Sequence, residues 1–251
     1  MQSEIFSSDD VQRSPISRNL ARELAAGSID SPDELYETAV DLATSLTNGH
    51  WRDDKYPPDE RLDRAAAEQL VAAMKCGPAL LTSRSLVFPQ AIIGLEGGEP
   101  LRQPKLFYDR FLCGKPAGVL WTSSLLAPGL PAWAMVAESG YVAGQDPVEG
   151  VEFFADADEF SVFTINSPCD FAELCEEFGS VMMGSNRVLD WRRVSEVHHA
   201  VHLTFSGLIL AQGVPVQTST GTMTLNGWDS ESTVWLRIPE SARLGRRFLV
   251  E

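Results

Sequence analysis

Long hydrophobic runs are missing from this chain of 251 residues. The longest apolar runs, such as GVLW and GLILA, fall far short of the ~18 residues that span a bilayer. The opening stretch MQSEIFSSDDVQRS has neither a basic start nor an apolar core, so no secretory leader is read. Both absences point to a cytoplasmic protein without a membrane partner. Cysteine is sparse: Cys76, Cys113, Cys169 and Cys175 form no CxxC pair, which argues against a zinc site or a disulfide framework and for reduced thiols. Positive charge is also in deficit, with 20 Lys and Arg against 35 Asp and Glu, a formal net charge of −15. Such a charge repels phosphate at long range, which argues against nucleic acid and for basic or small-molecule partners. There is no internal repeat, no GxSxG elbow, no Walker loop and no GxGxxG fingerprint; GLEGGEP lacks the spacing and the following helix.

What is present is enough apolar material, 44% of residues, to bury a core. Residues 1–77 read as a helical segment. In SPDELYETAVDLATSLTNG, Ser31 is the expected N-cap, Pro32 the first helical residue, Glu34 the capping-box partner and Gly49 the left-handed stop. Leu35, Ala39, Leu42 and Leu46 then share one face. PDERLDRAAAEQLVAAMKCG predicts a second helix with Leu62, Ala66, Leu70 and Ala73 on one stripe, and SPISRNLARELAAG a shorter one ahead of both.

From residue 78 to 251 the pattern changes to short β-type runs: ALLTSRSLVF, KLFYDRFL, GVLWTSSLL, EFSVFTIN, AVHLTFSGLIL, VPVQTSTGTMTL and STVWLRI. Two helices interrupt them, SPCDFAELCEEFG, with Asp170 as the expected cap, and DWRRVSEVHH. Strands outnumber helices and few alternate with them, so the expected class is α+β with a mainly antiparallel sheet.

Three clusters carry possible chemistry. In GWDSESTVWL, Asp229 and Glu231 stand two apart at the mouth of a predicted strand, which would place both carboxylates on one face roughly 6 to 7 Å apart. Trp228 and Trp235 flank them, and aromatic walls lower the dielectric around a charge. Against this, Asp and Ser after Asn226-Gly227 are ordinary turn residues. In GKPAGVLWTSS, an apolar strand ends in the hydroxyls of Thr122, Ser123 and Ser124, which suit a ribose or amide, or their own backbone. Lys115 is either a phosphate contact or a solvated loop lysine. His198, His199 and His202 crowd together but divide between a helix end and a strand, so no metal is expected there.

Together, the strand GVLWTSS with the helix-like PAWAMVAE after it, and the acid-x-Glu before a late hydrophobic strand, resemble the ADP-ribosyltransferase superfamily. That resemblance implies a split β-sandwich, NAD as substrate, and transfer of ADP-ribose to a protein or small-molecule acceptor, basic or neutral given the charge. It implies Glu231 as the catalytic carboxylate, Asp229 orienting the nucleophile, and Ser123 fixing the nicotinamide-ribose end. NAD contacts would come from Arg84 or Arg110, Trp121, Thr122, Ser124 and Trp228. This sequence departs from the family pattern in carrying Asp two residues before the glutamate. Two other readings use the same residues: a glycosidase with Asp229 and Glu231 as its acid pair, and a non-catalytic module with a Trp-lined groove.

Overall fold

A computed structural model describes residues 7–47, 61–76, 83, 85–93, 95, 100–108, 114–127, 130–134, 148–183 and 186–250. Four helices open the chain: α1 (Ser8–Arg13), α2 (Pro15–Ala25), α3 (Pro32–Thr47) and α4 (Arg64–Cys76). Their starts follow local chemistry. Ser14 accepts from the Ser17 amide ahead of Pro15, and Ser31 accepts from the Glu34 amide while Glu34 reaches back to the Asp30 amide. The expected second helix begins later than its sequence suggests, at Arg64, because Asp63 accepts from the Ala65 amide at its start. The expected stop at Gly49 lies outside the described residues.

The remaining described residues form a mixed α/β arrangement around a mostly antiparallel sheet of eight strands. Its strands are β1 (Gln90–Ile93), β4 (Leu120–Ala127), β5 (Leu130–Pro131), β6 (Val148–Phe154), β7 (Val162–Ile165), β10 (Ala200–Leu203), β13 (Ser232–Trp235) and β14 (Arg243–Val250). They run in the order β14-β6-β1-β4-β13-β10-β7, with β5 paired to β4. Among the described strands of this sheet, β10 and β7 alone pair in parallel. Three two-stranded ribbons flank it: β2 (Phe107–Tyr108) with β3 (Pro116–Ala117), β8 (Ser180–Met183) with β9 (Asn186–Leu189), and β11 (Pro215–Thr218) with β12 (Gly221–Thr224). Helices α5 (Pro168–Phe178), α6 (Trp191–Val197) and α7 (Phe205–Ala211) are the other described α-helices.

Three further expectations are corrected. The described residues of ALLTSRSLVF, 83 and 85–88, are not strand, and the first described strand starts at Gln90. AVHLTFSGLIL is not one strand: Thr204 accepts from the Gly207 amide and turns the chain into α7 after Leu203. The cap of α5 is Ser167, while Asp170 accepts from Ser167 and Asn166 as its box partner. The helix expected over PAWAMVAE falls largely outside the described residues.

Strand alternation sorts the sheet into two faces. Val201, Leu203, Val234 and Ile165 join the helices in the larger core, and Trp235, Phe153, Val151 and Ile92 form a smaller one on the other side. The N-terminal helices belong to the larger core. Tyr36 of α3 stacks on Phe205 of α7 at 5.1 Å, Ser14 donates to the Ile209 carbonyl, and Gln212 donates to the Ala43 carbonyl. No described helix is long and apolar enough to cross a membrane.

Candidate functional site

The central strands β4 and β13 pair antiparallel, Ser123 opposite Ser232 and Thr122 opposite Thr233. Pairing alone therefore brings the serine-bearing strand against the late acidic segment. A cavity of about 360 Å³ opens beside the pair. Trp121, Trp133 and Ile93 provide its apolar walls, and Lys115, Ser123 and Asp229 its main polar lining. Thr122, Ser230 and Ser232 contribute as well.

Lys115 is held at the cavity by the β2–β3 ribbon, where Trp191 Nε1 donates to the Gly114 carbonyl at 2.7 Å. Its ammonium donates to Asp229 Oδ2 at 3.3 Å and lies 5.1 Å from the Trp121 ring centroid. Trp121 meets Trp228 edge to face at 4.9 Å, and the Trp228 amide donates to Gln212 at 2.8 Å. Trp228 is thus a buried brace behind Trp121, outside the cavity lining. Ser230 Oγ and Asp229 Oδ1 are buried acceptors without a partner among the described residues. A ligand with N–H or O–H donors would satisfy both.

Glu231 sits differently from expectation. Strand β13 begins only at Ser232, so Asp229 and Glu231 lie in the bend before it and the i, i+2 rule for strands does not apply. Asp229 lines the cavity, whereas Glu231 is only 2% exposed and accepts a hydrogen bond from Ser124 at 2.9 Å. Burial pushes the Glu231 carboxyl up to about 8, with the Ser124 hydrogen bond pulling weakly the other way. At neutral pH it is mostly the neutral acid.

Around Glu231 lies a buried polar network that the sequence reading did not assemble. Gln90 of β1 bonds Ser124, Thr122 and Thr233; Trp235 Nε1 donates to Thr122; His202 of β10 bonds Thr233 at 2.9 Å. Burial drives His202 down to about 4, so it is neutral. The sequence signal for His202 is a single histidine inside the apolar strand AVHL, masked by His198 and His199 just before it. Those three histidines go to separate places: His198 packs edge-on to Phe163 and Phe178, His199 accepts from the Ser161 amide, and His202 joins the network. Arg84 and Arg110 lie outside the described residues.

No family model matches this sequence, and no curated protein or solved structure matches it.

Proposed function

We propose that the protein is an ADP-ribosyltransferase-like enzyme that cleaves the nicotinamide-ribose bond of NAD in this cavity. The observation that carries the reading is the β4–β13 pairing. It sets Ser123 against Ser232 and ties Ser124 to Glu231 across 107 residues of sequence, beside an aromatic-walled cavity. On this reading the central sheet and its ribbons take the place of the family's split β-sandwich. A volume of about 360 Å³ suits the nicotinamide-ribose portion and leaves the adenylate half outside.

In the proposed reaction the C1′–N bond breaks, its electron pair leaves on nicotinamide, and a ribosyl cation develops. The acceptor's lone pair forms the new bond at C1′ and its proton passes to a base. Asp229 is the carboxylate facing the cavity, so it takes the part of stabilising the cation that the resemblance implies for Glu231. Lys115 moves from Asp229 to a phosphate oxygen of NAD, which frees the carboxylate charge for the ribose. Ser123 and Ser230 bond the ribose hydroxyls or the carboxamide. Acidic surface charge favours a basic or neutral acceptor.

Incubation with NAD labelled in the nicotinamide ring tests the reading. Release of free nicotinamide that Asp229→Asn lowers is expected; no release together with no thermal protection by NAD would overturn it. A glycosidase is less well served, because Asp229 and Glu231 do not line one cavity. The Lys115–Asp229 pair and the neutral Glu231 favour a second reading, a non-catalytic binding module, since the resting site then holds no uncompensated carboxylate. NAD binding without turnover from about pH 6 to pH 9 would select it.

A further inference from the structure

Hydrogen-bond direction in the buried network is fixed from one backbone carbonyl. Gln90 Nε2 donates to the Val87 carbonyl at 2.8 Å, and a carbonyl only accepts, so the orientation of the amide follows. Its Oε1 then accepts from the hydroxyls of Thr122 at 3.2 Å and Thr233 at 3.3 Å. Thr122 is consistent with this, because its oxygen takes the Trp235 indole proton at 3.0 Å and keeps its own for Gln90. Thr233, having given its single proton to Gln90, has none for His202 and accepts from Nδ1–H at 2.9 Å. This chain of donors assigns His202 its proton on Nδ1 and a lone pair on Nε2.

That lone pair has no hydrogen-bond partner and faces Glu231, whose Oε1 is 3.7 Å away. Glu231 Oε1 already accepts from Ser124, while Oε2 is buried and unpartnered. Closing the gap to hydrogen-bond length takes roughly 1 Å, within reach of a carboxyl rotation. Two orphaned buried atoms on neighbouring side chains are costly, and a carboxyl proton on Glu231 turned to Nε2 satisfies both.

We propose that Glu231 in the resting protein is a neutral acid whose proton is directed at Nε2 of a neutral His202, and that His202 is the positioning residue that sets when Glu231 ionises. The groups that face Glu231 from the packed elements agree. Ser124 comes from β4, His202 from β10 and Tyr36 from α3; Asp229, two residues upstream, has its charge matched by Lys115. None of these places an unpaired cation on Glu231. Burial raises Glu231 and lowers His202, against smaller opposite pulls from Ser124 on the carboxyl and from the Ser232 backbone on the ring, and these directions favour a single proton at the contact. The use of the pair in turnover rests on the NAD reading: a cationic nicotinamide ring in the cavity would pull the proton off, so binding would release protons. The resting state of the pair does not depend on that reading.

The test is NMR of the full chain without ligand, with labelled histidine nitrogens and labelled glutamate carboxyl carbons, Glu231→Gln assigning its own signal. The expected result is a His202 ring in the Nδ1–H tautomer at pH 7 and a Glu231 carboxyl that titrates near 8. A His202 ring in the Nε2–H tautomer or as imidazolium at pH 7, or a Glu231 midpoint below about 6, overturns the proposal. His202→Asn, whose amide can donate to the carboxylate, should lower the midpoint by about one pH unit or more. If that variant does not fold, the wild-type spectra decide alone. Nicotinamide release is read separately, so a failure of the NAD reading and a failure of the pair give different results.

Discussion

Lys115 and Asp229 form an ion pair at 3.3 Å on the cavity wall, each about one fifth exposed. The pair is mostly buried, so removing one charge leaves the other poorly compensated. Asp229→Asn should therefore lower the melting temperature by a few degrees, with the fold retained, while it lowers nicotinamide release per folded molecule by on the order of 10²- to 10³-fold. Lys115→Ala should weaken NAD binding with little effect on kcat. An Asp229→Asn enzyme that keeps near-full turnover would remove Asp229 from the reaction.

Glu231 and His202 make stability depend on pH in opposite senses. The Glu231 carboxyl holds its proton to about 8 when folded, against 4.5 when exposed, so between those values the folded protein keeps a proton the unfolded chain has lost. Stability falls as pH rises through that window and levels off above it. His202 runs the other way: about 4 folded against 6.5 exposed, so stability is lost as pH falls from 6.5 to 4. Between 6.5 and 8 Glu231 acts alone of the two, with a slope of at most about 1.4 kcal/mol per pH unit. Urea denaturation across that range should show a decline that Glu231→Gln abolishes; an unchanged decline in the variant would contradict the buried acid.

Removing residues 1–77 should leave an unfolded or insoluble protein. Val11, Ile16, Leu20, Val40 and Leu70 are buried in the same core as the sheet's inner face, and α7 is held by Ser14 and the Ala43 carbonyl. Tyr36, beside Glu231, would go with them. Solubility and far-UV circular dichroism check this. A truncated chain that stays folded and loses only ligand binding would make the segment part of the site instead.

The helical segment and the mainly antiparallel sheet were legible because their signals are local: Ser-Pro caps, apolar stripes and short β-branched runs. Strand β1 was not, since QAII is four residues long and has no alternation, yet it supplies Gln90, which orients the buried network. The different surroundings of Asp229 and Glu231 were hidden for a related reason. Whether β13 starts at Ser232 or three residues earlier depends on β4 and β10 across the sheet, not on the acids themselves. The contact of Ser124 with Glu231 was not legible, because no local pattern encodes contact at that separation; the resemblance implied only that both residues face NAD.

Gly227 supplies the last prediction. Its φ of +85° lies in the left-handed region, and a Cβ there would meet the Lys115 side chain at 3.2 Å. Gly227→Ala therefore imposes two separate effects. Backbone strain costs about 1 to 2 kcal/mol and should lower the melting temperature by several degrees. Pressure on Lys115 acts on the site, because displaced methylenes carry the ammonium away from Asp229 and the Trp121 face. Lys115→Ala in the Gly227→Ala background separates the two: it relieves the crowding but leaves the strain. NAD affinity should fall in Gly227→Ala and show little further loss in the double variant, while the stability deficit persists. Additive losses of affinity in the double variant would mean that Gly227 acts on the cavity by a route that does not pass through Lys115.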